Sequence, residues 1–191
     1  MAKKVVLGMI IAALAAGSVF AQTEETTQEA PEKTWYNSYS EAVGQNKILI
    51  NAGIGAGILP YTVSLPAISV SAEYVLQKLP LSIGGYFGIT ADEEKIGNYT
   101  YGDTMIGIGV RGSWHFNFMK ALDAYASLSL GWLVWTFKTE TPAVTAEADY
   151  STVLFGFNLG ARYFFTKNIG AYVEVGYSAV SVASVGLSLK F

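Results

Sequence analysis

Hydrophobic and polar residues alternate along most of the chain with a period of two. Between 47 and 58, the isoleucines Ile48, Ile50 and Ile54 occupy even positions, whereas Asn51 and three glycines occupy odd ones. This period is typical of a β-strand whose two faces meet different surroundings. We find the pattern in eight segments and predict a strand in each: 47–58, 67–76, 81–89, 104–116, 122–137, 150–165, 169–177 and 183–191.

The composition indicates what these strands form. The chain is 51% hydrophobic but only 14% charged, whereas a soluble domain is normally about 25% charged. After residue 47 no apolar run reaches the roughly 20 residues that a membrane helix needs, and only helices and closed barrels satisfy the backbone in lipid. We therefore predict an all-β fold, an eight-stranded antiparallel up-and-down transmembrane β-barrel over residues 47–191.

Aromatic residues on the outward series sort by height, as expected of girdles at two membrane interfaces. Short connections at 77–80, 117–121 and 166–168 set the strand directions if they face the periplasm. The predicted lower belt then contains Tyr74, Trp114, Phe116, Tyr163, Phe165 and Phe191. The predicted upper belt contains Phe87, Trp132, Phe155, Phe157 and Tyr177. A buried soluble core gives aromatic residues no reason to sort in this way.

Charged residues fall on the opposite, inward series. An Arg at mid-membrane on the lipid face costs about 2–4 kcal/mol, so these side chains are expected inside. The interior of an eight-stranded barrel is just wide enough for its own side chains. We therefore predict that an ion-pair network of acids and bases fills it, formed by Glu73, Arg111, His115, Asp123, Arg162, Glu174 and Lys190.

One segment fits this pattern less well. Leu133 and Trp135 fall on the inward series above Gly131, so we expect either a β-bulge there or a stretch that stands clear of the membrane. The longer connections carry acidic clusters at 92–103 and 138–149. We interpret these as solvated outer loops, with binding of cations or of a cationic partner as the alternative.

The N-terminal residues predict export. Lys3 and Lys4 precede an apolar run that ends in small residues before Gln22, which is typical of a secretory signal peptide, here 1–21 with cleavage after Ala21. Residues 22–46 contain little to bury, so we expect a disordered periplasmic leader. Its aromatic residues Trp35, Tyr36 and Tyr39 are interpreted as part of a linker, or alternatively as a plug or an interface anchor.

The last strand carries a family resemblance. Hydrophobic residues occupy every second place and an aromatic residue comes last: Val185, Leu187, Leu189 and Phe191. This resembles the terminal-strand insertion signal of bacterial outer-membrane barrels, and residues 47–191 resemble the small OmpA, OmpX and OmpW barrels. The resemblance implies the outer membrane as location, with its lipid, the barrel assembly machinery and periplasmic chaperones as partners. A charged interior is closer to the OmpA and OmpX pattern than to the apolar lumen of OmpW-like channels.

Few residues suggest a catalytic, metal-binding or nucleotide-binding site. His115, the chain's one histidine, lies two positions after Ser113 and is a conceivable general base, but a hydrogen-bonded interior histidine is the favoured interpretation. One histidine with scattered carboxylates and no cysteine predicts no metal site. Glycines within strands open no helix and predict no nucleotide site. Scattered basic residues argue against nucleic-acid binding. We expect no cofactor.

Four functions are therefore weighed. The favoured one is a non-enzymatic outer-membrane barrel with a structural or surface-interaction role, a narrow permeation path at most, and an unknown surface ligand. The alternatives are an OmpW-like channel for small solutes, a lipid A modifying enzyme, and a soluble ligand-binding barrel. The last requires a polar exterior, whereas the less apolar face is largely glycine and serine.

Overall fold

The computed structural model describes residues 40–57, 63–178 and 180–191, which form a closed antiparallel barrel. Each strand pairs with its neighbours in the chain, and β1 pairs with β8 to close the barrel. The described residues form eight strands: β1 Ile48–Gly57, β2 Val63–Val75, β3 Leu81–Ile96, β4 Tyr99–Met119, β5 Leu122–Glu140, β6 Thr145–Phe164, β7 Ile169–Tyr177 and β8 Ser181–Lys190. The predicted eight-stranded up-and-down barrel is confirmed.

The alternation of side chains gives the barrel an apolar outside and a largely polar lower interior. On β6, Phe155 is 72% exposed, whereas Arg162 is fully buried. On β5, Leu128 is 68% exposed, whereas Asp123 is fully buried. Because successive side chains of a strand point to opposite faces, the period seen in the sequence sorts the residues between outside and inside.

Strands β3 to β6 extend well past their predicted upper ends. We predicted that β3 ends at residue 89 and that β4 begins at 104, but they run to Ile96 and from Tyr99, with Gly97 at positive φ in the turn between them. In the same way β5 and β6 reach Glu140 and Thr145. The predicted acidic loops are therefore paired strands. Acidic residues disfavour strands only weakly, since pairing and packing dominate β-propensity.

A short N-terminal segment closes the lower end, where the tight turns lie. Residues 40–46 were predicted as part of a disordered leader, but Ala42 and Val43 are buried against Leu49, Val75 and Phe164. The segment folds as a turn, and its last residue Asn46 donates its N–H to the Val75 carbonyl. Burial of these apolar side chains corrects the boundary of the leader. The predicted signal peptide and the predicted roles of Trp35, Tyr36 and Tyr39 lie outside the described residues.

β5 passes through the predicted irregularity without a bulge. Its pairings with β4 and β6 are in continuous register from Ser129 to Phe137. Leu133 and Trp135 point inward in this continuous register, so of the two alternatives expected from the sequence the β-bulge is wrong. No helix among the described residues is long and apolar enough to cross a membrane.

Candidate functional site

The interior charges form one connected network with Glu73 at its centre. The Glu73 carboxylate accepts hydrogen bonds from the hydroxyls of Ser82 at 2.6 Å and Ser113 at 2.5 Å. Its other oxygen lies 3.1 Å from Nη2 of Arg162 and 3.4 Å from Nε of Arg111. Every partner is buried. Charge-assisted hydrogen bonds of this kind are roughly twice as strong as neutral ones.

Two arginines extend the network across the interior. Arg111 makes a two-pronged contact with the Glu174 carboxylate, at 3.1 and 2.5 Å. Arg162 donates to Asp123 at 3.1 Å as well as to Glu73. The planar guanidinium suits such multiple contacts, because its donors form a rigid fork. The two arginines therefore connect all three interior acids.

Tyr125 lies between the two arginines. The carbon at the centre of the Arg162 guanidinium sits 3.9 Å from the ring centroid, and that of Arg111 sits at 5.7 Å. The Tyr125 hydroxyl donates to Glu174 at 2.7 Å. Cations within about 6 Å of an aromatic face are attracted to it, so Tyr125 adds a second restraint on both arginines.

His115 is held between an acid and a hydroxyl. Its Nδ1 lies 3.0 Å from both oxygens of Asp123, and its Nε2 lies 2.9 Å from Oγ of Ser82. The sequence suggested Ser113 as the neighbouring hydroxyl; the structure corrects this to Ser82, because Ser113 donates to Glu73 instead. Ser82 was missed because only the register between β3 and β4, which opposes it to Ser113, reveals the proximity.

Ser82, His115 and Asp123 have the order of a catalytic triad, but their environment disfavours catalysis. The Ser82 hydroxyl donates its proton to Glu73, so it is not aimed at the His115 nitrogen that would accept it. All three residues are at most 1% exposed. The arrangement therefore serves as a hydrogen-bond relay within the network. Among the described residues, no group of three His, Cys, Asp or Glu side chains is arranged to hold a metal ion.

Among the described residues, no ion pair joins Lys190 to these acids. Lys190 was predicted within the network, but its Nζ donates to the Ala42 carbonyl at the lower rim and sits 4.6 Å from the Phe164 ring. Lys190 therefore helps to hold the residues 40–46 turn in place, because the Ala42 carbonyl offers it an acceptor at the rim.

A small polar cavity lies above the network. Its lining includes Asn51, Ser71, Tyr86 and Ser184, with Arg111 and Glu174 on its wall. The cavity offers about 20 Å³ to the centres of water molecules, which is about enough for one water.

An apolar layer completes the filling near the upper mouth. Ala67, Met105, Leu133, Leu154 and Val180 form a buried cluster, and Tyr86 and Trp135 pack against it. Leu133 and Trp135, which fitted the sequence pattern poorly, thus belong to this layer. From bottom to top, the described interior consists of the 40–46 turn, the ion network, the polar cavity and the apolar layer.

The structure also locates the residues that were predicted to face outward. The predicted belt residues lie on the outer surface; Tyr74, Tyr163, Phe157 and Tyr177 are each about half exposed. Trp114 and Phe116 are partly covered. The predicted insertion signal lies on β8, where Val185, Leu187 and Leu189 oppose Ile54, Ala52 and Ile50 of β1.

Above the barrel, strands β3–β6 continue as a sheet that we call the projecting sheet, residues 90–104 and 134–152. β7 pairs with β6 only from Phe157 downward, and β2 pairs with β3 only up to Asp92. The sheet therefore rises beyond its neighbours on one side of the mouth.

The two faces of the projecting sheet differ in chemistry. The outer face carries charged residues, with ion pairs between Lys95 and Glu93 and between Lys138 and Glu140. The residues of the inner face continue the inward-facing positions of strands β3–β6, and they carry aromatic and acidic side chains. We call it the aromatic face; it comprises Tyr99, Tyr101, Trp135, Phe137 and Tyr150 with Asp92, Glu94 and Asp103.

Comparison with known proteins identifies the fold. Ail, the attachment invasion locus protein of Yersinia pestis, superposes with a TM-score of 0.51 at 12% identity, covering 78% of this chain and 100% of Ail. Ail in complex with the heparin analogue sucrose octasulfate gives 0.52 at 12% identity with the same coverage. Neisserial surface protein A gives 0.50 at 14% identity, covering 76% of this chain and 96% of that protein. The fold is that of the small outer-membrane β-barrels.

The outer-membrane barrel fold accounts for the apolar outside, because the outward residues of such barrels meet hydrocarbon. No protein-family model matches the chain, and no curated protein matches it by sequence. At identities this low the likeness is one of architecture. The residues that fill the interior and those of the projecting sheet are therefore interpreted from their own contacts.

Proposed function

We propose that this protein is an integral barrel of the bacterial outer membrane that conducts no solute and acts at the cell surface through its projecting sheet. The observation that carries the proposal is the contrast between a filled interior and a sheet that continues past the apolar belt. Such a barrel serves as a membrane anchor, and the surface part makes the interactions. Lipid, the assembly machinery and periplasmic chaperones are its proposed partners during insertion.

The filled interior supports the absence of conduction. Arg111 and Arg162 reach the acids of other strands, so the network spans the barrel rather than lining a bore. The Met105 and Leu133 layer stands above it, and the Val43 turn stands below it. Removing one partner from a buried ion pair leaves an uncompensated charge, so the network resists opening.

The charged outer face supports a location of the projecting sheet outside the hydrocarbon. Below the projecting sheet, the outward residues of the strands are apolar, as at Leu130 and Phe155. On the sheet itself, Lys95, Lys138 and Glu140 point outward and are substantially exposed. Lys or Arg on the lipid face costs about 2–4 kcal/mol at the membrane centre, so this part of the sheet fits water or the headgroup region.

Planar-bilayer recording tests conduction. The purified full chain is expected to give no reproducible single-channel steps, and the Gly107→Phe variant is expected to behave in the same way. Steps in the parent that disappear in Gly107→Phe would contradict the proposal and favour a small-solute channel, because Gly107 lies on the inward series beside Leu133.

Single-cysteine labelling tests the surface location, and the chain is suited to it because it contains no cysteine. Val144→Cys, at the exposed tip of the β5–β6 hairpin, is expected to react with a membrane-impermeant maleimide on intact cells. Lys167→Cys, in the turn at the opposite end, is expected to react only after lysis. The reverse pattern would overturn the proposed orientation.

Lipid analysis tests the non-enzymatic part of the proposal. His115→Ala removes the centre of the Ser82–His115–Asp123 relay. We expect the lipid A profile of cells that express this variant to equal that of cells expressing the parent. A profile that changes with the parent and reverts with His115→Ala would indicate a lipid-modifying enzyme instead.

A further inference from the structure

The projecting sheet carries an exposed aromatic surface that the barrel does not use. Tyr99, Tyr101, Phe137 and Tyr150 are 39–57% exposed. Two pairs of rings stack along the strands, Tyr99 on Tyr101 at 6.4 Å and Trp135 on Phe137 at 4.8 Å between centroids. Contiguous exposed apolar surface of this kind marks an interaction site.

The strand register places all these rings on one face. Trp135 packs against the interior apolar cluster, and Phe137 lies two residues further along the same strand. Trp135 opposes Tyr150 on β6, and Phe137 opposes Asp103 on β4. Directly opposed residues of an antiparallel pair point to the same side. The face is therefore continuous across β4, β5 and β6.

Acidic residues alone supply the charge of this face. Asp103 opposes Asp92, and Glu94 opposes Tyr101. Asp92 is buried, so the carboxylates that border the exposed rings are those of Glu94 and Asp103. Lys95 and Lys138 lie on the outer face, where they pair with Glu93 and Glu140. Among the described residues, no lysine or arginine belongs to the aromatic face. Its chemistry thus complements positive charge.

We propose that the aromatic face binds a lysine- or arginine-rich polypeptide segment. Rings attract ammonium and guanidinium groups, and the bordering carboxylates pair with the same groups. Neighbouring strands lie about 4.8 Å apart, so rings and acids on several strands match successive basic side chains of a polymer better than one small cation. The inference rests on the proposed surface location of the sheet and adds the class of partner.

Binding measurements on the full chain in detergent micelles or nanodiscs test this. The probes are an oligo-arginine peptide, a neutral peptide of the same length and a neutral oligosaccharide. We expect only oligo-arginine to bind. The variant Tyr101→Leu with Phe137→Leu, which keeps apolar bulk but removes the rings, is expected to weaken that binding about tenfold.

A matched pair of charge variants separates local contact from general attraction. Glu94→Gln with Asp103→Asn removes two acids from the aromatic face, and Glu93→Gln with Glu147→Gln removes two acids from the outer face of the same sheet. The first is expected to weaken binding about tenfold. The second is expected to change binding less than about twofold. Each variant is used only if its unboiled and boiled samples differ in electrophoretic mobility as those of the parent do.

Three results would overturn the inference: equal weakening by the two charge variants, binding of the oligosaccharide in place of the basic peptide, or no binding of the peptide by the folded parent. The proposed surface location is tested by a different experiment, the labelling of Val144→Cys on intact cells. If that location is wrong, the labelling fails, whereas the binding of peptide to the purified protein is unaffected. A displayed sheet that binds no basic peptide would leave the proposed function standing and remove this partner.

Discussion

Nη2 of Arg162 lies 3.1 Å from Oε1 of Glu73, although 89 positions separate the two residues in the chain. Arg162 belongs to β6 and Glu73 to β2, which stand opposite each other in the closed order of strands. The contact therefore forms only once the barrel closes. Both side chains are fully enclosed, so the pair joins opposite walls in surroundings where an unpaired charge is costly.

Loss of Arg162 is expected to destabilise the barrel far more than loss of Lys190. Arg162→Ala removes the cation that the Glu73 and Asp123 carboxylates share, and removal of one partner of a buried ion pair costs about 3–5 kcal/mol. Lys190→Ala removes a cation at the rim, where water replaces its contact with Ala42, and is expected to cost about 1 kcal/mol or less. Denaturant titrations in micelles measure both, and equal midpoints would contradict the network.

His115 is expected to carry a proton on Nε2. Because Ser82 donates its own proton to Glu73, the contact between Nε2 and Oγ of Ser82 requires the ring to donate. Nitrogen NMR of the chain's single histidine should show the proton on Nε2, and a ring protonated only at Nδ1 would contradict the contact.

Gly160 is expected to tolerate no side chain, because a Cβ there would meet the Tyr125 ring. Gly160→Ala would push the ring from its place over Arg162 and is expected to cost about 1–3 kcal/mol, as overpacking typically does. Gly112→Ala is the control, since its Cβ would point outward with its nearest neighbour at 3.8 Å. Unfolding midpoints in micelles compare the two; equal stability would show that Tyr125 can move freely.

Leu133→Ala is expected to destabilise the barrel more than Leu128→Ala on the same strand. Both lose hydrophobic transfer energy, but only Leu133 leaves a cavity in a packed layer with Met105 and Leu154. The cavity should add about 1–2 kcal/mol to its cost. Leu128 is 68% exposed on the outer surface, where lipid or detergent refills the space. Equal losses in denaturant titrations would mean that the upper layer is loosely packed.

The sequence could not predict how far the strands extend past the apolar belt. Asp92, Glu93 and Glu94 suggested a loop, yet they lie in β3 because β4 offers a partner for every one of them. Tyr99, Thr100 and Tyr101 carried the signal for a longer hairpin, since β-branched and aromatic residues favour strands. The length of these strands was decided by their pairing partners on the neighbouring strand, which the local sequence pattern does not reveal.

The sequence also could not predict which side chains contact one another in the barrel interior. The alternation assigned Glu73, Arg111 and Arg162 to one face, but it could not say which acid meets which base. That depended on barrel closure and on the small residues that leave room for Tyr125. It likewise could not show that Ser82, rather than Ser113, approaches His115.

The amino-acid sequence by itself determined the strands, their two faces and the closed form, because a period-two pattern with an apolar outside has few structures that satisfy the backbone in lipid. The tertiary structure decided which charges pair, how the mouths are filled and which face of the projecting sheet carries the rings. Those relationships join residues on different strands, and register and closure bring them together only in the folded barrel.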